Sequence, residues 1–185
     1  MLGGPNGAGK TTAAKVLLGN KLSIYSFVNA DEIARKLTPR DGHNVALEAG
    51  RIMLDNIRSL IQSDQSFVFE TTCAGRSYQN LLKKCKQDRW RLTLLYLWLP
   101  SPEKAIERVA RRVRDGGHDI PRDVIIRRYW GGILNMREIY LPMSDVAAIY
   151  DNSGDERILV AERTASATIT VHDQKRWALI QGPPV

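Results

Sequence analysis

Cysteine and histidine are both scarce in this sequence of 185 residues, at two and three. Cys73 and Cys85 lack a metal-ligand spacing and a third or fourth partner, so two reduced thiols of a cytoplasmic protein are expected. His118 has no His or Cys at zinc-binding distance along the chain, which sets zinc aside. No run of about 18 apolar residues exists, so no membrane helix is expected. No signal peptide fits ahead of a glycine-rich loop that starts at Gly4, because its removal would destroy the loop. Internal repeats, low-complexity segments and linkers are also absent. A chain of this length reads as one domain, residues 1–185, and a domain of about 150 residues hides ~70% of its unfolded surface.

Positive charge is what the sequence has in excess: 27 Lys and Arg against 20 Asp and Glu, a formal net charge of +7. An anionic partner follows, with nucleic acid, nucleotide and sugar nucleotide all candidates. The excess is concentrated. From Arg89 to Arg128 nine arginines and one lysine stand against five acids.

The stretch Gly4, Pro5, Asn6, Gly7, Ala8, Gly9, Lys10, Thr11, Thr12 matches the P-loop pattern G-x-x-x-x-G-K-[ST]. A phosphate chain needs backbone N–H groups converging on it, and glycines keep side chains out of the way. A helix starting near Lys10 would aim its positive end at the phosphates. Lys10 can reach the β- and γ-phosphates, and the Thr11 hydroxyl can ligate Mg²⁺. A bare glycine turn before a helix would not need the closing Gly-Lys-Thr.

Only Met1 and Leu2 precede Gly3, whereas a buried strand delivering the chain into such a loop runs about five residues. The first strand is therefore expected to be a stub, the natural start lying a few residues upstream. A helix is predicted over about 10–18, ended by Gly19 and Asn20. A strand is predicted at Ile24–Val28, and Asn29, Ala30 and Asp31 stand at its end. Helices are predicted from Asp31 to about Leu37, over 45–61 and over 76–86, with a break at Thr38–Gly42. Phe67–Phe69 reads as a short strand exiting at Glu70, Thr71 and Thr72, and Leu92–Leu99 as a central strand. Ser101 and Pro102 begin a helix to about Val113, Asp115–His118 end it, and Pro121 opens the next. Strands are predicted at Val146–Tyr150, Ile158–Ala161, Thr168–Val171 and Trp177–Ile180, the last three as antiparallel additions at a sheet edge. The fold class is thus α/β, a P-loop sandwich with a mainly parallel sheet and antiparallel strands near the C-terminus. Ligands in such sheets bind beyond the carboxyl ends of the strands, which is where the P-loop, Asp31 and Glu70 fall.

Asp31 could orient or deprotonate an acceptor hydroxyl, or merely cap the following helix. Glu70 could help hold Mg²⁺ or bind substrate hydroxyls. The arginines flank Gly116 and Gly117, a hinge-like break, so a mobile lid around 111–128 could bring Arg111, Arg114, Arg127 or Arg128 to a transferring phosphoryl group. Arg108 and Arg112 are expected to be solvated or paired with Glu.

These motifs in this order, together with Arg108-Val109, Arg112-Val113, Gly116-Gly117-His118, Arg127-Arg128-Tyr129 and Tyr150-Asp151-Asn152-Ser153, resemble the zeta toxin family of P-loop kinases in its short branch. The resemblance spans roughly residues 3–153. It implies ATP-dependent phosphorylation of a small hydroxyl-bearing substrate, in well-known members UDP-N-acetylglucosamine on its sugar 3′-hydroxyl, with ATP and Mg²⁺ as cofactors and an antitoxin as a protein partner. By motif, Lys10 and Thr11 match the nucleotide and Mg²⁺ residues, Asp31 the proposed base, Glu70 and Thr72 the substrate-side pair, and Arg114 and Arg127 the lid arginines; Arg111 joins the loop residues as an ATP contact. Two alternatives stand beside it. A nucleic-acid end kinase would use the basic charge with exposed stacking aromatics, but many aromatics here lie in apolar strands. A non-catalytic nucleotide switch or transporter ATPase shares the loop, yet the chain has no Leu-Ser-Gly-Gly-Gln signature.

Overall fold

The computed structural model describes residues 1–18, 26–37, 45–164 and 168–182. The expected helix stop at Gly19 and Asn20, the strand start at Ile24 and Tyr25, and the break at Thr38–Gly42 lie outside the described residues. The chain divides into two compact units, Met1–Lys10 with Thr72–Val185, and Thr11–Thr71.

In the larger unit, strand β1 spans Leu2–Gly3. It pairs in parallel with β4 (Thr93–Trp98), Leu2 opposite Leu95, and β4 pairs in parallel with β5 (Val146–Asp151). The amino group of Met1 donates to the Thr93 carbonyl at 2.7 Å. Strands β6 (Ile158–Arg163) and β7 (Ile169–Val171) then add antiparallel, as expected of the tail. β4 is central and apolar, and Leu94, Tyr96, Leu97 and Trp98 are buried on both of its faces, as a parallel strand covered by helices requires. Helix α5 (Pro102–Arg114) starts where the sequence predicts: the Ser101 side chain accepts from the Lys104 N–H and Pro102 occupies the first turn. Asp115 ends it and Gly116 follows at φ +84°.

Helix α6 (Arg122–Asn135) runs on into a π-helical turn, Met136–Tyr140, and a short helix α7 (Leu141–Met143). Before them, helix α4 covers Gln79–Gln87, three residues shorter at its start than expected. The tail brings a correction. Trp177–Ile180 is not a strand but part of helix α8 (Gln174–Gln181), capped by the Asp173 side chain, which accepts from the Arg176 N–H at 2.9 Å. Four apolar residues in a row fit a strand or a buried helix equally well. The cap decides, because it satisfies an otherwise orphaned first-turn donor.

The smaller unit holds helix α1, which runs Lys10–Leu18 from the last loop residue, and β2 (Ser26–Val28) paired in parallel with β3 (Phe67–Thr71). Helix α2 (Ala30–Lys36) packs on α3 (Val45–Gln62), whose buried Ala49, Met53 and Ile57 recur at helical spacing. Glu70 and Thr71 belong to β3 itself rather than lying beyond its end. Mainly parallel strands with antiparallel additions near the C-terminus make up the α/β fold. Among the described residues no helix is long and apolar enough to cross a membrane.

Candidate functional site

The loop Gly4–Lys10 follows β1 directly. Gly4 has φ +144°, and a Cβ there would stand 2.3 Å from the Leu97 carbonyl of β4, so only glycine fits. Pro5 accepts twice, from the Ala8 N–H at 3.2 Å and from the Lys10 ammonium at 3.0 Å. Lys10 is 7% exposed, held over the loop by that carbonyl. A charged donor anchored on the loop's own backbone, with helix α1 beginning at the same residue, is an arrangement able to hold a phosphate chain.

Two residues from distant sequence meet this loop. The Asn152 side-chain amide donates to the Ala8 carbonyl at 2.8 Å. Arg108 of α5 donates to the carbonyls of Asn152 at 2.6 Å and Ser153 at 3.0 Å. The expectation that Arg108 and Arg112 are solvated or paired with Glu is therefore corrected. Both spend their guanidinium groups on backbone carbonyls, Arg112 on that of His118 at 2.6 Å. Arg108 and Arg112 are one helical turn apart on the half-buried side of α5, while Arg111 and Arg114 are exposed.

Arg111, Arg114 and Arg127 are exposed and Arg128 half-buried, and none of Arg114, Arg127 and Arg128 forms a side-chain hydrogen bond or ion pair among the described residues. They flank Gly116 and Gly117, as the sequence indicated. Trp130, on the same helix, is 55% exposed and sets its ring edge-on to Tyr129 at 4.9 Å between centroids. Tyr129 is buried, its hydroxyl donating to the Leu99 carbonyl.

Thr72 opens the loop that leaves β3. That loop is pinned by α6 and the π-helical turn. Asn135 donates to the carbonyls of Cys73 at 2.9 Å and Ala74 at 3.0 Å and accepts from Arg76 Nε at 3.2 Å. The Tyr140 hydroxyl donates to the Gly75 carbonyl at 2.6 Å. A Cβ on Gly132 would stand 2.4 Å from the Thr72 carbonyl, so helix and loop touch backbone to backbone. Cys73, at φ +60°, is fully buried, and burial pushes its thiol up to about 12, against the opposing pull of Lys10. It stays protonated at neutral pH and is no nucleophile.

In the smaller unit, Glu70 Oε2 accepts from the Thr11 hydroxyl at 2.8 Å and from the Asn29 amide at 2.9 Å. Asn29 also caps α2: its side-chain oxygen accepts from the Asp31 N–H at 2.8 Å. Asp31 is thus inside the first turn and not the cap, and its exposed carboxylate has no partner among the described residues. Thr12 is exposed on α1. A hydroxyl and a carboxylate already in contact are hard oxygen donors of the kind Mg²⁺ takes, so the residues fit the ion expected from the loop. Among the described residues no three His, Cys, Asp or Glu side chains gather as a metal site.

The model of the AAA domain family matches residues 1–127. An uncharacterized protein of Haemophilus influenzae is 28% identical over 126 residues, 68% of this chain and 88% of that protein. A chain of the AvrRxo1-ORF1:-ORF2 complex solved with ATP superposes with TM-score 0.74 at 16% identity, covering 100% of this chain. This chain spans 63% of that one. A chain from the PezAT chromosomal toxin–antitoxin system of Streptococcus pneumoniae gives TM-score 0.69 at 16% identity, over 96% of this chain and 75% of its own. At that identity the two structures establish likeness of fold. Because the family model takes in the whole glycine loop and more than half of the sequence, the chain belongs to the AAA domain family of P-loop proteins.

Proposed function

We propose that this chain is an ATP-dependent phosphotransferase of zeta toxin type, transferring the γ-phosphoryl group of ATP to a hydroxyl of a small substrate. The observation that carries this is the capping of α2 by Asn29, which leaves the Asp31 carboxylate unoccupied by helix duty. A nucleotide switch has no need of such a group, whereas a kinase needs one to orient the acceptor and take its proton. Lys10 and the loop amides hold the β- and γ-phosphates, with Arg111 as a further ATP contact. Thr11 and Glu70 would hold Mg²⁺, which supplies charge compensation on the phosphates when bound. Glu70 is assigned to that side because its Oε2 already accepts from Thr11, and Thr72 joins Asp31 on the acceptor side. Arg114, Arg127 and Arg128, on a lid over 111–128, supply positive charge for the equatorial oxygens of the transferring group. UDP-N-acetylglucosamine is the first acceptor to try, and an antitoxin is the protein partner proposed, in a cytoplasmic setting.

The test is Asp31→Asn. It keeps shape and the Asn29 cap, so melting temperature and ATP affinity should hold while turnover falls by a factor on the order of 10²–10⁴. Turnover near wild type, measured with labelled ATP over a panel of acceptors, rejects the role. One observation favours a second reading, an end kinase of nucleic acid: the exposed Trp130 lies one turn from the exposed Arg127 on α6, a pairing suited to stacking a base. Steep salt dependence of oligonucleotide binding, abolished by Trp130→Ala, would promote it.

A further inference from the structure

The segment Tyr150–Ser153 leaves the carboxyl end of β5 and is fixed from three sides. Below it, Asp151 is buried, and its Oδ2 accepts from Arg176 Nε of α8 at 2.7 Å. Its other oxygen accepts from the Ser153 N–H at 2.9 Å, closing a tight turn. Arg176 is itself steadied by Asp173, to which its guanidinium also donates. From the other side Arg108 grips the carbonyls of Asn152 and Ser153. The Asn152 N–H donates to the Trp98 carbonyl at 3.0 Å, tying the turn to β4. With its backbone held at every point, Asn152 has one free reach, and its side chain goes to the Ala8 carbonyl.

That contact has a directional consequence. In a trans peptide the C=O and the following N–H point to opposite sides of the unit, and every peptide bond described here is trans. A donor that draws the Ala8 carbonyl to one side therefore commits the Gly9 N–H to the other. Gly9 has φ +77°, and a Cβ on it would stand 3.0 Å from Asn152 Nδ2, so the side-chain amide lies directly against the peptide it orients. We propose that Asn152 is a positioning residue that turns the Gly9 N–H toward a bound phosphate, and that Arg176 and Asp151, with Arg108, set Asn152 for this task. Nucleotide affinity is then controlled in part from helix α8, which closes the chain of contacts. The inference rests on the loop being a phosphate cradle, but not on phosphoryl transfer.

The experiment measures binding of ADP and of inorganic pyrophosphate to wild type, Asn152→Asp, Asn152→Ala and Arg176→Ala. Asn152→Asp keeps the shape but faces the Ala8 carbonyl with an acceptor. A lost N–H to a charged group weakens binding by roughly 10- to 100-fold. Both Asn152 variants should show this for both ligands, and Arg176→Ala a smaller loss of the same kind, which Arg176→Lys does not fully restore. With ¹⁵N-glycine labelling, the Gly9 amide should shift on adding pyrophosphate to wild type and not to Asn152→Asp, a readout that general destabilisation does not mimic. If ADP weakens while pyrophosphate does not, Asn152 touches the base and the proposal is overturned. Unchanged affinities for both ligands also overturn it. If wild type binds neither ligand, the phosphate cradle itself is wrong and the proposal falls with it.

Discussion

Asn135 offers the sharpest test of how α6 holds the loop after β3. The residue is 4% exposed and makes three side-chain hydrogen bonds, to Cys73, Ala74 and Arg76. Asn135→Ala removes the donor shared by two carbonyls. The Cys73 carbonyl is buried with its residue, and loss of a partner there costs about 1–3 kcal/mol. The Ala74 bond, at the edge of solvent, adds about 1 kcal/mol. Arg76 is exposed and recovers its bond from water, so its share is close to nothing. The void left by the amide adds a further ~1 kcal/mol. The sum, about 3–5 kcal/mol, should lower the melting temperature by roughly 6–20 °C in a chain of this size. Asn135→Asp sharpens the test. At neutral pH it buries a carboxylate against two carbonyl oxygens, so it should be at least as damaging as Ala. Burial against the Cys73 and Ala74 carbonyls raises the folded-state pKa of the new carboxyl above its unfolded value near ~3.9, and outweighs the opposing pull of Arg76, whose exposed guanidinium is screened by solvent. Its penalty is therefore smallest below about pH 4, where the protonated carboxyl can donate again, and grows as pH rises. Thermal melts of the three proteins from pH 3.5 to 7.5 decide the matter. If Asn135→Ala melts within about 2 °C of wild type, the loop is not held by this side chain.

Further outcomes can be stated briefly. Gly4→Ala should cost more than ~3 kcal/mol, since its Cβ would meet the Leu97 carbonyl of a central strand that cannot yield; denaturant titration checks it, and a loss under about 1 kcal/mol refutes the close approach. Lys10→Ala should abolish phosphoryl transfer while the melting temperature stays within about 3 °C, because the ammonium serves the loop and not the core; near-wild-type turnover rejects the kinase proposal. Asp145 is held below the usual carboxylate range by its hydrogen bond to Lys86. A depressed folded-state pKa gives stability that is present above about pH 4 and lost as pH falls through the lower folded value. Asp145→Asn should therefore flatten the acid limb of the stability curve, and an unchanged limb rejects the pair as its source.

The glycine loop was legible as a pattern because its residues are contiguous in sequence, although what demands glycine at Gly4 is the Leu97 carbonyl of β4, which the sequence does not announce. Most strands and helices of the larger unit were legible for a similar reason: their caps and apolar periods are local. Asp31 was ambiguous, since two polar residues, Asn29 and Asp31, stand near the helix start and either can cap it; only the backbone angles at Asn29 choose between them. The strand expected at Trp177 failed because a four-residue apolar run has no period of its own, and the deciding cap at Asp173 lies outside the run. Arg108 was misjudged because its partners are carbonyls 44 and 45 residues away, and backbone acceptors leave no trace in side-chain composition. Asn135 was invisible for the same reason: nothing in its neighbours announces that the chain returns to Cys73 and Ala74 at that point.

Both thiols are sealed, Cys73 behind Gly3 and Tyr96 and Cys85 inside α4. An alkylating reagent can reach Cys73 only when the pairing of β1 and β4 or the loop held by Asn135 and Tyr140 opens, because the folded protein offers neither access nor thiolate. The rate at which iodoacetamide modifies this residue in native buffer is thus a clock for local opening of the elements that pack beside the glycine loop. A nucleotide that tightens the loop should slow that clock, giving a ligand assay that needs neither a phosphoryl acceptor nor turnover.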